Sequence, residues 1–144
     1  MRSLSGFAMI EFLMVTAMIA LLGGLTALAL EPVYSRYQLR SAEQGLIEAL
    51  WQAQSKARAS ETDSAWSVHV AVGSITIFQG ISFASRQTSY DEVTDISSAI
   101  VPGSATDVIF QKMTGYPTTA STMTLTNANL ATTITVNDRG MVSH

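Results

Sequence analysis

The chain has no cysteine, so whatever folds here is held by packing without a disulfide or a thiolate metal site. Histidine is nearly as scarce, with His69 and the terminal His144 alone, and neither has a second ligand at metal-binding spacing. No G-x-S-x-G elbow and no glycine-rich phosphate loop occurs, and the many serines have no positioned base beside them. Positive charge is also short. Eight Lys and Arg stand against eleven Asp and Glu, a net charge of -3 that gives no general electrostatic pull toward nucleic acid. Three prolines leave few forced breaks, and the first of them, Pro32, is therefore informative. These absences argue against an enzyme, a metalloprotein and a nucleic-acid binder. With 144 residues, there is room for one small domain beside any N-terminal helix.

What the chain does have is one long apolar run, Gly6 to Leu30, GFAMIEFLMVTAMIALLGGLTALAL. At about 1.5 Å per residue this length predicts a helix that crosses the ~30 Å hydrocarbon core of a bilayer, over residues 7–31. A secretory h-region would be about half as long, with its exit marked by small residues. One carboxylate, Glu11, interrupts the run. An acid inside a membrane helix costs a few kcal/mol, on the order of 3, and needs a partner or a function. No Lys or Arg lies within the run, so a cation for Glu11 must come from elsewhere. Gly24 and Ala20 stand at small-xxx-small spacing, which suits either close helix packing or simple tolerance of glycine.

Beyond Glu31-Pro32, where a kink or boundary is expected, a helical period resumes over 32–60. Leu39, Ala42, Leu46, Ala49, Leu50, Ala53 and Ala57 recur at i, i+3, i+4 spacing, and Arg40, Glu43, Gln44, Gln54 and Lys56 mark the polar face. Tyr34, Tyr37 and Trp51 read as packing aromatics. After the polar break at 60–64 the period changes to two. Trp66, Val68, Val70 and Val72 alternate with polar or small residues, Gly73-Ser74 suggests a two-residue hairpin loop, and Ile75 and Ile77 follow. That loop pairs Val72 with Ile75, Val70 with Ile77 and Trp66 with Ile81, and turns His69 to solvent. Residues 87–107 are loop-like and acidic, with short strands at Val93 and Ala99-Val101 left unplaced, and Asp91, Glu92 and Asp95 without calcium-ligand spacing. Val108-Phe110, Thr122-Thr126, Thr132-Val136 and Met141-Val142 read as strands, with turns at Gly115-Tyr116-Pro117 and Asn137-Asp138-Arg139-Gly140. The expected fold class is α+β: a long N-terminal helix, transmembrane in its first half and amphipathic in its second, packed on an antiparallel β domain over 61–144.

Gly6-Phe7-Ala8-Met9-Ile10-Glu11, after the short leader MRSLS with Arg2 and before an unbroken apolar helix, resembles the processing site of type IV pilins and type II secretion pseudopilins. The order of a strand before Phe110, a glycine turn, a threonine-rich strand pair and the ending ITVNDRGMV is similar to the GspH/FimT group of minor pilins and pseudopilins. The segment 87–107 is unmatched, and the missing disulfide sets the chain apart from major pilins. The resemblance implies a leader over 1–6, cleavage between Gly6 and Phe7 by a prepilin peptidase, N-methylation of Phe7, and an assembly role for Glu11. It implies no cofactor or metal. Its partners would be that peptidase and methyltransferase, other pilin subunits, an assembly platform and the membrane. The expected location is the inner membrane, single-pass with a cytoplasmic leader, before export into the filament; Arg36 and Arg40 leave the charge rule for orientation nearly balanced. Two other classes stay open: a DNA-uptake pilin using Lys112 and Arg139, and a membrane-anchored ligand-binding domain.

Overall fold

A computed structural model describes the backbone of residues 5–103 and 107–144, and the side chains of 8–24, 31–103 and 107–144. The described residues begin in a helix, α1 (Ser5–Arg58), which contains Pro32 in its interior. Among the described residues eight strands follow: β1 (Trp66–Ala71), β2 (Ser74–Gln79), β3 (Glu92–Asp95), β4 (Val101–Pro102), β5 (Asp107–Phe110), β6 (Ser121–Asn127), β7 (Leu130–Val136) and β8 (Val142–Ser143). The chain divides into two compact units between Tyr34 and Ser35.

The first unit corrects the sequence expectation. Among the described residues no helix is long and apolar enough to cross a membrane. Glu11, a carboxylate within the apolar stretch of α1, lowers its apolarity further. The transmembrane half of the expected fold, 7–31, is therefore not supported, nor is a single-pass inner-membrane location. Of the leader expected over 1–6, residues 1–4 lie outside the described residues, as do the side chains of Gly6 and Phe7.

In the second unit the later part of α1 lies in one core with two antiparallel sheets, ordered β3-β2-β1-β5 and β4-β6-β7-β8. All seven apolar positions of the helical stripe, Leu39 to Ala57, are buried. Small alanines at 42, 49, 53 and 57 let the sheets approach the helix, while Leu46 and Leu50 share one buried core with Trp66, Ile75, Leu125 and Ile134. Lys56 and Arg58 in the last turn oppose the negative end of the helix dipole.

The β1–β2 hairpin forms, but two residues out of the expected register: Val70 faces Ile75, Val68 faces Ile77 and Trp66 faces Gln79. The loop is Val72-Gly73, with Gly73 at φ +87°, so it begins one residue earlier than the Gly73-Ser74 reading. A shift of two preserves the side-chain alternation, and the same residues still reach the core. The cost falls on Val72 and Ile81, which leave the pairing and are exposed. The acidic segment contributes two short edge strands, β3 and β4, pairing with β2 and β6.

His69 is also placed differently from expectation. The outer face of the first sheet is covered by residues 80–91, so Ser67, Thr76 and Phe78 are buried there. Phe83, in a 3₁₀ turn (Phe83–Ser85), stacks on the His69 ring at 3.7 Å and meets Phe78 edge-on at 5.4 Å. The guanidinium of Arg86 covers the Phe83 ring at 3.6 Å. Asp107 pairs with His69 and Asp91 with Arg86, so two carboxylates flank the three-layer stack.

Candidate assembly surfaces

Glu11 lies on α1 among exposed apolar side chains. Met9, Ile10, Phe12, Leu13, Met14, Val15, Met18, Ile19, Leu21 and Leu22 are each at least half exposed, and they point to every side of the helix. Thr16 turns its hydroxyl back onto the Phe12 and Leu13 carbonyls at 2.9 and 3.0 Å, so it adds little polarity to the surface. Glu11 itself has no cation within ion-pair distance among the described residues. An apolar surface this continuous is far larger than the scattered exposed residues usual on a monomer. Of the three site residues read from the motif, Gly6 and Phe7 have no described side chains, and Glu11 is on the exposed helix.

A second candidate surface lies in the other unit. Tyr37 and Trp51, read as packing aromatics, are 70% and 60% exposed. They stand on the outer face of α1, opposite the core stripe. A groove of about 870 Å³ runs there, lined by Arg40, Gln44, Ile47 and Trp51 with Glu43 and Glu48, and walled by Val142 and His144 at the end of the chain. Tyr37, Arg40, Gln44, Ile47 and Trp51 follow 3-4-3-4 spacing, a second helical stripe opposite the core stripe.

Gln54, expected on the wet face, is buried and turns inward. Its side-chain amide donates to the carbonyls of Gly115 and Gly140, both at 3.1 Å, fixing two turns distant in sequence to the end of α1. Asn127, also buried, does the same at the other end of this unit by donating to the Ser35 carbonyl and the Gln38 side chain.

Three of the residues considered for calcium or DNA, Asp91, Glu92 and Lys112, are engaged with oppositely charged neighbours. Asp91 holds Arg86, Glu92 holds Lys56 and Gln52, Asp107 holds His69, and Lys112 meets Asp63. Among the described residues no group of three or more His, Cys, Asp and Glu is placed to hold a metal ion. None of the protein-family models, curated proteins or solved structures compared with this chain matches it.

Proposed function

We infer that this chain is a structural subunit, not an enzyme, that assembles into a filament of the type IV pilus or secretion pseudopilus kind through its N-terminal helix. The observation that carries the reading is the uncovered apolar surface from Met9 to Leu22, broken by the single carboxylate of Glu11. Burial of this surface against neighbouring subunits removes apolar area from water at about 25 cal/mol per Å², a large driving force for association. A lone carboxylate inside such an interface must meet a positive charge. The Gly6-Phe7 motif supplies one: cleavage between them frees an amine on Phe7, which stays cationic on methylation, and Glu11 of one subunit pairs with that amine on the next. Subunits in a wrong register leave both charges unpaired, which makes the pair a register check. A prepilin peptidase with its methyltransferase and other pilin-type subunits are the partners this reading requires.

The test is the mass of the mature N-terminus. The assembled protein begins with N-methylated Phe7, and Gly6→Val leaves the precursor uncut. An assembled protein that still carries Met1 would overturn the reading.

A further inference from the structure

The outer stripe of α1 in the second unit is self-complementary when turned end over end. Its positive residue, Arg40, stands towards one end and Glu48 towards the other, with Gln44 midway between them. Tyr37 and Trp51 lie at equal distances outside that midpoint, both widely exposed. Two such helices laid antiparallel with their Gln44 residues on the dyad place Tyr37 of each against Trp51 of the other, and Arg40 of each against Glu48 of the other. Both pairs close at once and are repeated by the twofold, as an isologous interface demands. The same helices laid parallel in register would oppose Arg40 to Arg40 and Glu48 to Glu48, and like charges across an interface disfavour that arrangement. Neither Arg40 nor Glu48 has an ion-pair partner among the described residues, so both charges are available.

We propose that this stripe is the docking face for a second copy of the chain, giving an antiparallel twofold dimer with Gln44 at its centre. The aromatic pairs at the two ends supply the buried anchors, and the two Arg40–Glu48 pairs set direction and register. The groove beside the stripe, walled by Val142 and His144, gives the incoming helix a seat on one flank. This contact is separate from the N-terminal surface of the proposed filament. A twofold closes on two copies, whereas a filament needs a head-to-tail contact. The dimer is thus a state that withholds the outer face of α1 from further assembly.

The absence of cysteine makes the test clean. Single-cysteine variants of the full chain are oxidised in a mild detergent that covers the N-terminal apolar residues, and covalent dimers are measured. Gln44→Cys cross-links to itself. Tyr37→Cys and Trp51→Cys each stay monomeric alone and cross-link when mixed. Arg40→Glu lowers the Gln44→Cys cross-linking about tenfold, and adding Glu48→Arg to it restores the yield. Self-cross-linking of Tyr37→Cys and of Trp51→Cys would mean parallel helices and overturn the proposal, as would a Gln44→Cys yield indifferent to both charge changes. Glu11→Ala leaves these yields unchanged, so a failure of the filament reading is distinguishable from a failure of the dimer.

Discussion

Gln54 and Gly140 occupy one place: a Cβ added to Gly140 would collide with the Gln54 side-chain nitrogen, which donates to the Gly140 carbonyl at 3.1 Å. Gly140 also holds φ at +77°, where a side chain is strained even with space to spare. The terminal turn Asn137-Gly140 can therefore lie against α1 only because one residue has no side chain and the other is an amide with two donors.

Gly140→Ala is expected to destabilise the fold by about 1–3 kcal/mol through backbone strain and displacement of Gln54. Gln54→Leu costs a similar amount, on the order of 1–3 kcal/mol, by leaving the buried carbonyls of Gly115 and Gly140 without their donor. The two losses act on one contact, so the double variant falls short of their sum in urea unfolding. Full additivity would show that the contact does not hold the turn.

Phe83→Ala should loosen residues 80–91 without touching the helix-facing core. Phe83 gives up a stack on His69 and the cover of Arg86, together roughly 1.4 kcal/mol and so about tenfold in local opening. Amide hydrogen exchange reads this directly: faster exchange over 83–91, unchanged exchange in β6 and β7. A uniform rise across both sheets would mean that the segment is part of the global core.

How far the sequence could be read follows from how local each determinant is. The core stripe of α1 was legible because Leu and Ala at helical spacing have few alternatives, and all seven positions are buried. The faces of the hairpin were legible for a similar reason, since a two-residue slip conserves alternation, but its register was not: Val72-Gly73 and Gly73-Ser74 are both acceptable loops by residue type, and the hairpin takes the first. Gln54 was assigned to solvent by residue type, because its two acceptors lie 61 and 86 residues away. The covering of His69 by Phe83 is equally non-local in cause, resting on Arg86, Asp91 and Asp107 together. In the first unit, apolar composition alone suggested a span that the described helix does not provide. Glu11, the one site residue of the motif with a described side chain, is on a helix as its setting in the sequence implied.

Binding of the full chain to duplex DNA should be weak, no tighter than about 10⁻⁶ M at physiological salt, because few phosphates can be neutralised. The net charge is -3, and Lys56, Arg86 and Lys112 each already meet a carboxylate. A salt titration in a DNA-binding assay checks this. Tight, salt-sensitive binding that Arg139→Ala abolishes would put a DNA-uptake role ahead of a purely structural one.

The most discriminating substitution is at Glu11. If its carboxylate meets the amine of Phe7 on a neighbour, Glu11→Ala leaves that amine buried and unpaired, a loss on the order of 3–5 kcal/mol for a broken buried pair. The second unit should be unaffected, with its unfolding midpoint unchanged, because no residue of its core lies near this position in the chain. Filament recovery should collapse all the same. Glu11→Gln separates charge from shape: it retains size and hydrogen bonding but cannot neutralise the amine, so recovery falls less than with alanine and well below wild type. The measurement is the subunit recovered in sheared or cross-linked filaments, with N-methylated Phe7 verified in each sample so that lost processing is not mistaken for lost assembly. Wild-type recovery of the alanine variant would mean that the apolar surface from Met9 to Leu22 assembles by packing alone and that Glu11 is incidental to it.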